Sequence, residues 1–370
     1  MKARTFSIKS VIGFCGACIA FYIGAGFATM QEVMQYEASY GSRFVIVIVV
    51  AALIYVYTNI SFASNGSRLN LERGGDIYKH YCGKYIGTAY DFFSAFFCYM
   101  CFIVMCGGAN STMVQQWGLP NGTGSIVLTV AVVITVVYGL KGILNALSFL
   151  GPVIIVSILA IAGISAINGF ASFSENLMAI DAGTYELTQV GGGSPLASGA
   201  SYGGFVILWF AAFLAEIGAK NKLKEVNSGM LLSTLCIFGA AAVCCIALIS
   251  HIDVTAHADI PALMLANSIH PVLGQIFAVV IFCGIYTTAV PLLWTGVGRV
   301  AQEGTARYKS FTILGGIIGC VVACFLPYKG LVNILYGMNG YLGFLLVAFM
   351  IVHDARMLLG VKNAKALPQE

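Results

Sequence analysis

Charge is what this sequence has least of: Asp, Glu, Lys and Arg make up 9% of its 370 residues, against 59% hydrophobic residues and a mean hydropathy of +0.89. A soluble domain carries about a quarter of its residues as charges to face water, so that class is excluded. The apolar runs repeatedly reach membrane-spanning length. Histidine is scarce as well. His80, His251, His257, His270 and His353 all fall in predicted loops or helix ends, which leaves a midplane haem or zinc site without a ligand set. His-Glu-x-x-His, Gly-x-Ser-x-Gly and paired intramembrane aspartates are missing, which argues against an intramembrane enzyme. The segment Met1 to Ser10 carries Lys2, Arg4 and Lys9 but no small-residue cleavage site after a short apolar core, so it reads as retained. All twelve cysteines except Cys82 lie in predicted spans. Cys15-x-x-Cys18 and Cys98-x-x-Cys101 have no histidine nearby, so a packing role is expected and no cofactor.

What is present is an all-α polytopic membrane protein. Ten transmembrane helices are predicted at about 8–37, 43–65, 84–115, 124–139, 143–168, 195–219, 228–250, 271–297, 310–326 and 330–352, with ends uncertain by about four residues. This divides the chain into a first five-helix repeat (1–168), an extracellular loop (169–194), a second five-helix repeat (195–352) and a cytoplasmic tail (353–370). With both termini cytoplasmic, all of the nineteen Lys and Arg except Arg43 and Lys329 fall on the inner side, as the positive-inside rule requires. The net charge of +4 is thus accounted for by topology, with no nucleic-acid partner. The oligomeric state is not readable.

The stretch Phe21-Tyr22-Ile23-Gly24-Ala25-Gly26-Phe27-Ala28-Thr29-Met30-Gln31-Glu32 interrupts the first span where it should be most regular. Glycines there free backbone groups that hydrocarbon cannot satisfy, a defect tolerated where it lines a cavity. The sixth span repeats the pattern at Ser198-Gly199-Ala200-Ser201-Tyr202-Gly203-Gly204-Phe205. Either glycine pair alone would serve close helix packing of the small-xxx-small kind. Both sit about 23 Å above an inner basic residue at helical rise, and matched interruptions in two halves point to a midplane site of an inverted-repeat transporter.

Helix 8 adds Cys283-Gly284-Ile285-Tyr286-Thr287-Thr288-Ala289-Val290-Pro291. Pro291 frees the Thr287 carbonyl, so oxygens collect there that either suit an alkali cation or bond back to their own helix. The 169–194 loop and an amphipathic Asp259–His270 segment either cap an outward cavity or are a solvated loop and an interfacial helix. Glu32, beside Gln31, is an intramembrane carboxylate read as functional: it binds a cationic substrate group, carries a proton or latches an outer gate. Glu216 reads as an ion pair with Lys220, and Asp91 as snorkelling or paired with Lys84.

The Gly24-Ala25-Gly26 break, the Ser201-Tyr202-Gly203-Gly204 break and the Thr287-Thr288 pair resemble the LeuT-type fold of the amino acid-polyamine-organocation superfamily, over all ten helices, a 5+5 inverted repeat with discontinuous helices 1 and 6. More narrowly, Gly24-Ala25-Gly26-Phe27-Ala28-Thr29-x-Gln31-Glu32 resembles the YkvI-like family of bacterial membrane proteins, which implies a bacterial cell (inner) membrane. The fold-level resemblance implies a sodium ion held by Ala20, Ile23, Gly284, Thr287 and Thr288. It also implies a substrate carboxylate at Gly24, Ala25, Gly26 and Phe27, with the rest of the substrate against Ser201, Tyr202, Gly203, Gly204, Phe205, Trp209 and, on helix 3, Tyr99. Phe27 stands where neurotransmitter-type relatives carry an Asn, so a second sodium of that kind is not expected. Helix 5 has no lysine to stand in for the first. The expected function is alternating-access symport of a small amino acid or related zwitterion with sodium, with Gln31 and Glu32 in gating or, alternatively, proton coupling. A substrate sensor and a channel are the remaining readings.

Overall fold

The computed structural model describes residues 6–71, 74–138 and 144–359; the side chains of Ala20, Ala25 and Trp209, and the tail beyond residue 359, lie outside what it describes. The described residues form helices and no strands. The chain opens with α1 (Ile8–Tyr22), α2 (Ala25–Ala28) and α3 (Gln31–Tyr36), which together make up the expected first span, 8–37, interrupted within the glycine stretch. A short 3-10 segment, Ala38–Arg43, leads into α4 (Phe44–Leu69). Then come α5 (Asp76–Trp117), α6 (Thr123–Tyr138), α7 (Leu144–Asn168), α8 (Phe173–Asp181) and α9 (Pro195–Lys220). The remainder is α10 (Leu223–Ser250), α11 (Ile252–Thr255), α12 (Pro261–Ile269), α13 (Pro271–Gly298), α14 (Ala306–Phe325), α15 (Tyr328–Leu331) and α16 (Gly337–Leu358), the last two joined by a π turn at Val332–Tyr336.

The β-branched run Val45-Ile46-Val47-Ile48-Val49-Val50 would read as a strand in water, yet it lies in α4. In hydrocarbon only a helix satisfies each backbone group within its own segment. Local chemistry sets the ends. Ser194 accepts from the Ala197 N–H ahead of Pro195, and Thr305 from the Tyr308 N–H. Gly118, at φ 64°, closes α5.

Among the described residues, six helices are long and apolar enough to cross a membrane, or up to eight if each of two bent pairs is one span. The ten expected spans included α1 and α6, which are apolar but have only 15 and 16 residues. In α1 the cause is the break that ends it at Tyr22. One bent pair joins Val153–Asn168 to Phe170–Asp181 at 64°, so the first part of the expected 169–194 loop is helical.

The other bent pair corrects the reading of the sixth span. The segment 198–205 is continuous helix, and the axis instead turns by 57° between Pro195–Leu208 and Phe210–Lys220. The glycines there are packing surfaces. A Cβ on Gly204 would overlap the Gly340 carbonyl oxygen of α16, one on Gly203 would come within 2.8 Å of Ile54 on α4, and one on Gly199 within 2.8 Å of Val50. Small residues let α9 lie directly on the backbones of α4 and α16, and these are among the most extensive helix contacts in the molecule.

At the end of the bundle where α1 begins, Ser7 N–H donates to Glu225 Oε1 (2.9 Å), and Lys220 pairs with Glu216. Asp91 pairs with Arg299 at the end of α13, in place of Lys84. At the opposite end, residues 182–194 lie across α3: Val190 N–H donates to the Gln35 carbonyl (3.2 Å), and Gln189 Nε2 to the Ser39 carbonyl (2.6 Å). The Asp259–His270 segment, as α12, reaches the first span too, through Ala262 N–H to the Thr29 carbonyl (3.1 Å).

Candidate functional site

The first span breaks twice. Ile23 leaves the helix at φ −77°, ψ 91°, and the Gly24 N–H turns to the Tyr22 carbonyl (2.9 Å) instead of the Ala20 carbonyl that a continuous helix would offer it. One turn of α2 follows, and then Met30 adopts a left-handed conformation, φ 58° and ψ 9°. A left-handed Met costs of order 1 kcal/mol and persists only where its surroundings impose it. Thr29 does so here. Its hydroxyl lies 3.0 Å from the Gly26 carbonyl and 3.0 Å from the Tyr328 hydroxyl, and its backbone carbonyl is held by α12.

Helix α13 faces the first break. A Cβ on Gly24 would be 3.9 Å from Thr288 Cγ2, so Thr288 and the interrupted backbone lie side by side. The Thr287 and Thr288 hydroxyls both donate to the Gly284 carbonyl, at 2.8 and 3.1 Å. This is the back-bonded arrangement weighed against a cation site, and it leaves the lone pairs of each hydroxyl oxygen available. Gly284 is covered by Ile154 of α7, 2.9 Å from where a Cβ would stand.

Beyond the break the residues are polar and buried. Phe27, Gln31 and Glu32 are each no more than 2% exposed, as are Gln35, Tyr36 and Glu37. Gly26 is small because the Glu32 carboxylate occupies the space a Cβ would take, with Tyr336 3.0 Å away. An aromatic wall closes around it: Tyr36 stacks on Tyr202 at 4.6 Å between centroids, Phe205 on Tyr336 at 4.5 Å, and Tyr22 meets Tyr202 edge-on at 6.1 Å. Tyr202 and Phe205 therefore stand beside the buried carboxylate, and Ser201 bonds across to the Gly337 carbonyl (3.4 Å) at the margin. Gly203 and Gly204 face α4 and α16 instead. Tyr99 is elsewhere. Its hydroxyl donates to the Gly315 carbonyl on α14 (2.9 Å), and its ring stacks on Phe102.

Sequence reasoning misses Glu37, Tyr22, Tyr36 and Tyr336. A helix ending at residue 37 leaves Glu37 at an interface, whereas the left-handed turn at Met30 and the 3-10 segment after Tyr36 fold it inward to full burial.

No family model matches the chain. A stretch of 137 residues is 25% identical to an uncharacterized protein, YyaD, of Bacillus subtilis (strain 168), covering 37% of this chain and only 39% of that one. Among solved structures, MhsT in complex with L-phenylalanine is similar over 92% of this chain and 88% of its own, with a TM-score of 0.61 and 17% identity. A mutant form of a manganese transporter of Eremococcus coleocola is similar over 95% of this chain and 80% of its own, with a TM-score of 0.54 and 15% identity. At such identities the likeness is one of fold: this is a multi-pass membrane protein with the LeuT-type helical architecture of those two structures.

Proposed function

We propose that the chain is a secondary active transporter working by alternating access, with sodium driving uptake of a small amino acid or related zwitterion. The observation that carries it is the interrupted first span lying against Thr288, within a fold shared over nine-tenths of the chain with MhsT and a manganese transporter. Main-chain carbonyls at the Ile23–Gly24 break and the outward lone pairs of Thr287 and Thr288 offer hard oxygens at one place, the chemistry a dehydrated alkali ion needs. On this reading the substrate sits beyond the break, between Gly24–Phe27 and the wall formed by Tyr202 and Phe205. The driving force suffices. One charge crossing about 100 mV contributes about 2.3 kcal/mol, and a tenfold sodium gradient about 1.4 kcal/mol more.

In proteoliposomes, uptake is expected only with an inward sodium gradient, and Thr288→Ala is expected to abolish the sodium dependence while leaving the protein folded. Sodium-independent uptake driven by an inward proton gradient would replace this reading with the second one, which the buried Glu32 favours: proton coupling through that carboxylate. Substrate binding without flux would reduce the chain to a sensor.

A further inference from the structure

Tyr99 is drawn away from the first-span break, and where it goes there is a cavity. Both α13 and α14 carry glycine opposite it: a Cβ on Gly296 would stand 3.1 Å from Tyr99 Cβ, and one on Gly315 3.4 Å from its ring. The small residues let the ring lie in the seam between the two helices, with its hydroxyl donating to the Gly315 carbonyl (2.9 Å). There Tyr99 lines a cavity of about 510 Å³ shared by α5, α13 and α14. Its other walls are apolar and exposed, with Phe92 and Phe96 on α5, Val300 just after α13, and Phe311 and Leu314 on α14. The lining residues of α5 and of α14 each cover about two turns, so the cavity runs about 10 Å along the helices.

Arginines stand at one end of it. Arg299 pairs with Asp91, and its guanidinium lies 4.8 Å over the Phe92 ring. Arg307 lies 5.4 Å over the Phe311 ring and makes no salt bridge among the described residues, and neither does the exposed Lys309. Two cations are thus held on two aromatic walls of the same cavity, an arrangement that keeps each charge at the mouth. Trp294 belongs to this end as well, its Nε1 donating to Glu303 (3.4 Å), and an exposed Trp beside Arg and Lys marks the level where hydrocarbon meets headgroups. Against Arg299, Arg307 and Lys309 stand Asp91 and Glu303, so the mouth keeps a surplus of positive charge.

We propose that the seam of α5, α13 and α14 binds an anionic phospholipid, with one acyl chain in the cavity against Phe96 and Leu314 and the phosphate on Arg307 and the remaining N–H groups of Arg299. A guanidinium fork matches phosphate oxygens, and a basic recess between spanning helices is where an acidic headgroup gains most. The shape selects the chain of methylenes over a protein segment, since a helix is about 10 Å across with its side chains and does not enter a recess of this volume. Charge selects against a second copy of this chain, whose matching end is basic too. The site needs no transport activity to exist.

The test is native mass spectrometry of the full-length protein in detergent, titrated with phosphatidylglycerol or phosphatidylcholine of matched acyl chains. A basic residue near the surface strengthens the hold on an acidic lipid about fivefold, so phosphatidylglycerol is expected to bind about tenfold more tightly than phosphatidylcholine. Arg307→Gln is expected to cut that preference about fivefold. Adding Arg299→Gln together with Asp91→Asn, which leaves neither partner of that pair charged, should abolish it. Leu314→Trp fills the recess and keeps every charge, so it should weaken both lipids several-fold. The melting temperature of each variant serves as the control for folding.

Equal binding of the two lipids would overturn the proposal, as would a preference that survives the triple substitution or undiminished binding in Leu314→Trp. Inorganic phosphate binding as tightly as phosphatidylglycerol would make the mouth an ion site and remove the lipid. A dimer that Leu314→Trp dissociates, with no lipid retained by the wild-type protein, would assign the seam to a second copy instead.

Discussion

Gly26 is the residue at which a single methyl group has most to disturb. Its φ is not in the left-handed region, so alanine suits the backbone there, and the obstacle is the Glu32 carboxylate, with Tyr336 behind it at 3.0 Å. Gly26→Ala is therefore expected to push Glu32 off its position. Overpacking of this kind costs about 1–3 kcal/mol of stability. The functional loss should be larger in proportion: about a tenfold or greater rise in the half-saturating substrate concentration in proteoliposome uptake, with the melting temperature of the purified protein as control. At this scale the sequence is partly legible. Glu32 announces itself as a carboxylate in an apolar run, because such a residue is costly in hydrocarbon and needs a reason. Glu37 does not, since its inward position depends on two departures from helical geometry, at Met30 and after Tyr36, that no local residue pattern signals. Tyr99 is hidden for a related reason: it lies on α5 but faces α14, and helix membership does not fix which side a ring takes.

Glycine pairs in two helices look alike in the sequence and do opposite things. In the first span α1 ends at Tyr22 and Ile23 leaves the helix just before Gly24, whose N–H turns back to the Tyr22 carbonyl. In α9 the helix runs on through Gly203 and Gly204, because each glycine faces a close-packed neighbour and continuous helix is what lets it approach. The distinction lies in the partner. Gly340 and Gly343 on α16 stand opposite Gly204, and this reciprocal pairing across more than a hundred residues is invisible to a reading of either segment alone. Substitution separates the two uses of glycine. Gly204→Ala would set a methyl group against the Gly340 carbonyl and is expected to destabilise the purified protein by about 1–3 kcal/mol. Gly13→Ala in α1, with nothing within 4 Å of the new atom, should be neutral or stabilising by about 0.5–1 kcal/mol. Thermal unfolding of the two variants side by side gives the comparison, and equal destabilisation would show that α9 and α16 are not in backbone contact.

Across the whole molecule, the two ends of the helical bundle around the first span are held differently. At the end away from the start of α1, residues 182–194 are bonded through main-chain groups to Gln35 and Ser39, a many-membered cover. At the other end the first described residues of α1 are tied to Glu225: Ser7 N–H donates to Glu225 Oε1, which Lys222 also approaches at 3.4 Å. A cavity of about 470 Å³ opens beside it, lined by Ser7, Ser10, Phe14, Lys220 and Asn221 among others. If α1 is the element that swings to release solute, this anchor is where the motion begins, since α1 is already cut free of α3 by the break at Ile23. Glu225→Gln keeps the shape of the side chain while turning a charge-assisted bond to Ser7 into an ordinary one and removing the attraction to Lys222. Amide hydrogen exchange in residues 8–22 should then speed several-fold while exchange in α4 stays unchanged, because local opening tracks the weakest tether rather than the core. The same variant should exchange more slowly again when substrate is added, provided the bound solute holds the α1 break closed. Uniform acceleration across α1, α4 and α9 would mean instead that Glu225 supports the bundle as a whole, and that the end of α1 is not a gate.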